Sequence, residues 1–220
     1  MNSPRSRLRV AILISGRGSN MQALIEDCAQ AGSPAEIALV ISNKAEASGL
    51  AQASAAGIAT DIVSHHAFVD RAAFEAEIDT KLRAAGIQLV CLAGFMRILS
   101  DKFVAAWRDR MINIHPSLLP SFRGLDTHAR ALAAGVRLHG CTVHFVRPEM
   151  DTGPIIVQAA VPIDSADTPD SLAARVLAAE HRIYPLALRW IAEGRVRVKN
   201  ERAIVDGAAA PVDLLISPRA

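Results

Sequence analysis

Met111-Ile112-Asn113-Ile114-His115-Pro116-Ser117-Leu118-Leu119-Pro120 reads as the end of a buried strand followed by an abrupt exit from a sheet. Side chains alternate faces along a strand, so Asn113 and His115 point the same way. Pro116 removes a backbone donor and turns the chain outward. An amide and an imidazole are thus offered side by side at the carboxyl end of a strand, where open α/β sheets bind their ligands. A lone strand-end histidine is more often a satisfied structural residue. Its meaning therefore depends on what the rest of the chain brings to the same edge.

Upstream, apolar runs at 8–14, 36–41, 58–63 and 88–93 alternate with helical patterns. The first helix carries Met21, Leu24, Ile25 and Cys28 on one face, and a later one repeats Phe74, Ile78 and Leu82 behind the cap Asp70. Short helices are expected at 45–56 and 101–107, with 111–114 as the fifth strand. Strand–helix alternation makes a right-handed, doubly wound parallel sheet. Downstream the grammar changes. A short helix is expected at 127–134 and strands at 142–147 and 155–161, joined by a Gly/Pro-bearing loop, so the sheet gains a mixed or antiparallel extension. Thr168-Pro169 opens a long helix that Pro185 should kink or break. A small hairpin fits 195–198 and 203–205. The fold class is α/β, Rossmann-like and mostly parallel. One domain is expected over 1–220: a phosphate-side half at 8–115, a second half at 116–206, and a peripheral tail at 207–220.

The 220 residues are 51% hydrophobic and 21% charged, with net charge +2 and no long single-sign block. That disfavours a nucleic-acid binder and leaves room for small anionic substrates. Cys28, Cys91 and Cys141 lie far apart among apolar or small residues, which suits reduced core cysteines. The apolar run after Arg9 is too short for a signal peptide or membrane span, so a cytoplasmic location is expected. The histidines show no metal-ligand spacing, and no metal is expected.

Ser15-Gly16-Arg17-Gly18-Ser19-Asn20 is a glycine-rich turn between strand and helix. It lacks the third glycine of a dinucleotide fingerprint, and no acidic residue closes the second strand. A single phosphate held by Gly18, Ser19 and Asn20 fits better, since a helix N-terminus offers free N–H groups to an anion. Gly94-Phe95-Met96-Arg97-Ile98-Leu99 follows the fourth strand and could wall a pocket for a flat ring. Asp151 is the one carboxylate in a turn-rich loop suited to reach His115, where it would fix the ring and favour its cation. With no activated nucleophile in the motif, direct acyl transfer is expected. Ser117 lacks the elbow context of a nucleophilic serine.

Taken together, N-I-H-P-S-L-L-P at 113–120, L-A-G-F-M-R-I-L at 92–99 and D-T-G-P at 151–154 resemble the folate-dependent formyltransferases. S-G-R-G-S-N at 15–20 and A-E-H-R-I-Y-P at 179–185 resemble the branch of purine synthesis that formylates phosphoribosylglycinamide. The resemblance implies formyl transfer from 10-formyltetrahydrofolate to the glycyl amine of that nucleotide. It gives Asn113 and His115 to the oxyanion and the proton, and Asp151 to holding His115. Gly18, Ser19 and Asn20 take the phosphate, and Glu180 the amine or ribose. The folate side is assigned Arg71, Met96, Arg97, Ile98, Leu99, Asn113, His144, Arg147, Glu149 and Met150. The partners implied are small molecules only, with a monomer or homodimer, no nucleic acid and no membrane. Two positions depart from the pattern: Asp126 replaces a histidine, and Cys141 replaces a hydroxyl residue. A formyltetrahydrofolate hydrolase is the nearest rival, usually with an N-terminal regulatory domain for which this layout leaves no room. A transformylase acting on methionyl-tRNA would need an RNA-binding domain after the hairpin. A silent folate- or nucleotide-binding module is the rival of another class.

Overall fold

The computed structural model describes residues 6–209 and 215–218. In chain order the elements are β1 (Leu8–Ile14), α1 (Ser19–Cys28), β2 (Ala35–Ser42), α2 (Ser48–Ala55), β3 (Ala59–Ile62), α3 (Arg71–Ala84), β4 (Leu89–Leu92) and α4 (Asp101–Ala106). There follow β5 (Met111–His115), α5 (Thr127–Ala133), β6 (Leu138–Phe145), β7 (Ile155–Pro162), α6 (Pro169–Ala192), β8 (Val196–Lys199) and β9 (Arg202–Val205). Residues 210–214 and 219–220, in the expected tail, lie outside the described residues.

Strand β1 shows why the chain takes two layers of helix. Val10, Ile12 and Ile14 face one core with Met21, Leu24, Val176 and Tyr184, from α1 and α6. Ala11 and Leu13 face a second core with Phe74 and Ile78 of α3, Phe103 of α4, and Trp107 just after α4. A strand buried on both faces reads as a continuous apolar run, as β1 does. The seven strands are ordered β3-β2-β1-β4-β5-β6-β7. The first five run parallel; β6 is antiparallel to β5 and β7 to β6. Strands β8 and β9 form a separate antiparallel pair. The chain winds outward from β1 to β3 and then returns through β4 and β5. Its switch point therefore lies between the carboxyl ends of β1 and β4. The turn after β1, the loop after β4 and the end of β5 all open there.

Two expectations change. Helix α6 runs unbroken through Pro185. Proline there removes one backbone bond, but Leu172, Val176, Ile183, Tyr184, Ala187 and Leu188 stay buried along the helix, and the Tyr184 hydroxyl lies 3.0 and 3.2 Å from the carbonyls of Leu92 and Ile112. Strand β6 begins at Leu138, earlier than 142. Gly140, inside the added stretch, is a point of close contact: a Cβ there would lie 1.9 Å from the Ala159 carbonyl oxygen of β7. Close strand approach demands a residue without a side chain.

Candidate active site

Strand β5 ends with Asn113 and His115 on one face, opposite His144 and Thr142 of β6. Asn113 Nδ2 lies 3.3 Å from His144 Nε2, and His144 Nδ1 lies 2.9 Å from the Phe145 carbonyl. A carbonyl only accepts, so the His144 proton sits on Nδ1 and its Nε2 accepts from the Asn113 amide. Burial pushes the His144 imidazole below its ordinary range, which keeps that acceptor neutral. The pairing fixes which end of the Asn113 amide faces outward. One N–H is spent on His144, and the second remains for a ligand. His144, assigned by resemblance to the folate, thus sits buried behind Asn113 as its support.

His115 is 5% exposed. Its Nε2 donates to the Phe122 carbonyl at 3.0 Å. Its Nδ1 faces Asp151 Oδ2 at 3.5 Å. The same carboxylate oxygen accepts from the Gly124 N–H at 2.9 Å. Arg123 also pairs with Glu149 at 3.1 Å, so loops 116–126 and 148–153 are joined at two points. The second loop is held to the sheet by Gly153, where a Cβ would lie 1.7 Å from the Phe145 carbonyl oxygen. Ser117 is fully buried, and its hydroxyl donates to the Ser121 carbonyl at 2.6 Å, which leaves no free nucleophile there.

The turn after β1 leads into α1 through Gly18, whose φ of 73° is left-handed. A Cβ at Gly18 would lie 2.9 Å from Met21 Cε and 3.2 Å from Gly49 Cα, so both space and backbone ask for glycine. No side chain caps α1. The N–H groups of Ser19 and Asn20 therefore face the turn, as an anion requires. Asn20 Nδ2 donates to Glu180 Oε2 at 2.7 Å. Glu180 is 6% exposed, and burial lifts its carboxyl above the usual range while Asn20 pulls it back. Cys141, one of the departures, lies fully buried in the core; burial first and the Glu180 charge second push its thiol to about 12. It behaves as an inert filler. Asp126, the other, holds the start of α5 at φ 55° without a side-chain cap.

The folate-side assignments separate. Met96 and Ile98 are exposed, at 63% and 70%, on the loop between β4 and α4. Arg97 is also exposed, whereas Leu99 packs in the core with Phe103 and Trp107. Arg71 is exposed at the first position of α3. Met150 is half exposed and lies against Gly124. The buried Arg147 guanidinium binds Asp109 at 2.7 Å and Glu201 at 2.6 Å. That side chain ties the segment leading into the Asp151 loop to the β8–β9 hairpin. Residues the sequence reading passed over include Ser15 and Glu75, which brace the 94–100 loop, and Phe122, whose backbone oxygen meets His115. A backbone contact of that kind leaves no mark in a side-chain motif. His139 was also passed over: it is 1% exposed, edge-on to Phe122 and His128 at ring separations of 5.8 and 5.2 Å. Among the described residues, no cluster of histidine, cysteine or acidic side chains could hold a metal ion.

The chain is similar to known proteins along most of its length. Residues 8–188 match the family described as Formyl transferase. Over 204 residues the chain is 45% identical to the phosphoribosylglycinamide formyltransferase of Escherichia coli K12, covering 93% of this chain and 96% of that one. The solved phosphoribosylglycinamide formyltransferase of Anaplasma phagocytophilum superposes with a TM-score of 0.87 at 47% identity, over 93% of this chain and 96% of that one. The trifunctional purine biosynthetic protein adenosine-3 of Bos taurus is 52% identical over 87% of this chain, which spans only 19% of that much longer protein. With the match running from β1 into α6 and through Asn113, His115 and Asp151, this chain belongs to the formyl transferase family.

Proposed function

We propose that this protein transfers the formyl group of 10-formyltetrahydrofolate to the amine of 5′-phosphoribosylglycinamide. The observation that carries the reading is the Asn113 amide beside the His115 imidazole, with Asp151 Oδ2 3.5 Å behind the ring and no free nucleophile between them. The substrate amine attacks the formyl carbon. A C–N bond forms, and the carbonyl electron pair moves to oxygen. The spare Asn113 N–H and the His115 Nε2–H donate to that oxyanion. Two preorganised donors at a developing charge are the strongest device available for acyl transfer. Collapse of the tetrahedral intermediate breaks the bond to folate N10, which takes up one proton as the amine loses one. His115, with Asp151 at Nδ1, is the group placed to move it.

The Phe122 carbonyl supports this reading. It is a partially negative oxygen 3.0 Å from Nε2, in the position a formyl oxyanion would take. Catalysis then requires loop 116–126 to withdraw that carbonyl when the folate enters. The turn at Gly18, Ser19 and Asn20 takes the phosphate, and Glu180 faces the nucleotide through Asn20. The exposed Met96 and Ile98 wall the pterin, and Arg71 is left for the folate's glutamate carboxylate. The test supplies both substrates to purified protein. Formylated glycinamide ribonucleotide is expected; formate released without that product would instead identify a hydrolase.

A further inference from the structure

The loop between β4 and α4 carries exposed apolar side chains on a backbone that two buried groups hold from below. Gly94, at φ 75°, turns the chain out of the sheet. Two residues later the Met96 N–H donates to Ser15 Oγ at 2.8 Å. Ser15 is 7% exposed, and its own proton goes to Asn43 Oδ1 at 2.5 Å; Asn43 is 2% exposed. At the far end the Ser100 N–H donates to Glu75 Oε1 at 2.6 Å, and the Ser100 hydroxyl donates to Glu75 Oε2. Glu75 lies on α3 and is 4% exposed. Between the two anchors Leu99 is sunk in the core, so only Met96, Arg97 and Ile98 remain outside.

A buried carboxylate and a buried hydroxyl are costly unless bonded, and here both are spent on one short loop. The loop's shape is consequently fixed before any ligand arrives. A wall that is already ordered avoids much of the ordering cost of binding a flat ring. Ser15 also begins the glycine-rich turn, so one hydroxyl joins the floor of the phosphate site to the base of the apolar wall.

We propose that Ser15 and Glu75 are positioning residues for the folate: they touch no substrate and act by holding the Met96–Ile98 wall in its binding shape. This rests on the assignment of that wall to the folate. The test is steady-state kinetics with each substrate varied in turn. Ser15→Ala is expected to raise KM for 10-formyltetrahydrofolate about three- to tenfold, the scale of one lost hydrogen bond. Turnover and KM for the glycinamide nucleotide should stay within about twofold. Glu75→Gln keeps the side-chain volume but places an NH2 against the Ser100 hydroxyl. It should move the same constant in the same direction, which gives a second reading of the loop should Ser15→Ala fold poorly. An unchanged folate KM overturns the proposal. So does a loss confined to kcat, or one shared equally by both substrates, which would mark general damage to the fold. Ile98→Ala, in the wall itself, separates the two layers of inference. If it weakens folate and Ser15→Ala does not, the clamp is wrong and the pocket stands. If neither weakens folate, the pocket assignment falls and takes the clamp with it.

Discussion

Acid should unfold this protein partly through one histidine. His139 is buried on β6, with neither ring nitrogen bonded. Burial, reinforced by neighbouring His128, pushes the imidazole down from 6.5 to about 4. The folded state thus holds His139 neutral in a range where the unfolded chain binds a proton. Stability from this group is fully present above pH 6.5, falls as pH drops through 6.5, and levels off below about 4. The difference between 6.5 and about 4, at about 1.4 kcal/mol per pH unit, amounts to about 3.5 kcal/mol. About 2 kcal/mol of that should be gone by pH 5. That is a large share of a domain stability of about 5–15 kcal/mol. Burial displaces His128, His144 and His181 in the same direction, so the wild-type fall is the sum of several groups. The His139→Leu variant isolates one of them. At pH 8 it should lie within about 1 kcal/mol of wild type, because leucine removes two unpartnered nitrogens along with the ring. Urea melts followed by far-UV circular dichroism at pH 8, 6.5, 5.5 and 4.5 give the two curves. The variant's curve should be the shallower, by about 2 kcal/mol between pH 8 and 5. Parallel curves would refute the assignment of this acid sensitivity to His139.

Other perturbations reach the site directly. His115→Ala and Asp151→Asn should each lower kcat about 10²–10³-fold with folate KM near native, read by formylation kinetics; near-native turnover in either removes it from the catalytic set. Arg147→Met keeps the buried stem but loses Asp109 and Glu201. It should cost about 1–3 kcal/mol in a thermal or urea melt and lower kcat several-fold through the Asp151 loop, whereas loss of folate affinity alone would mean the guanidinium binds ligand after all. Gly153→Ala forces the loop off the Phe145 carbonyl, so a loss of more than about 2 kcal/mol and a kcat defect should appear together; a folded, fully active variant would show that the loop's path is not set there.

The sequence carried the parallel half of the fold because its signal is local. β1 and β4 read as apolar runs, and helices α1 and α3 show their faces at a period of 3.6. Asn113 and His115 were legible for the same reason, being two residues apart on one strand. Asp151 was legible as a candidate, and its place 3.5 Å from His115 needed the β5–β6 pairing to bring the loop round. What stayed hidden is non-local. Leu99 and Arg97 stand two residues apart in one motif, yet one fills the core and the other faces solvent. The Arg147 pairs with Asp109 and Glu201 were not legible because all three are distant in the chain. The glycine at position 140 answers to a carbonyl of β7, which the residues around it in the chain do not reveal.

Every polar group at the end of β5 already has a partner. Asn113 is held by His144, His115 Nε2 by the Phe122 carbonyl, and Asp151 by the Gly124 N–H. On the proposed mechanism, only one of these partners occupies a place that substrate must take. His144 lies behind Asn113 and leaves its second N–H free, and Gly124 uses one of several lone pairs on Asp151. The Phe122 carbonyl alone stands in front of the His115 Nε2 proton. Substrate entry therefore exchanges one acceptor for another at Nε2 and leaves the donors where they were. An exchange from a neutral carbonyl to a developing oxyanion strengthens the bond as the transition state forms, and only that difference accelerates the reaction. On that mechanism the step that opens the site is a movement of loop 116–126, which Arg123 and Gly124 tether to the same loop that carries Asp151. On the proposed mechanism that loop must release Phe122 without drawing Asp151 away, because the carboxylate already lies 3.5 Å from His115 Nδ1 with Phe122 still in place.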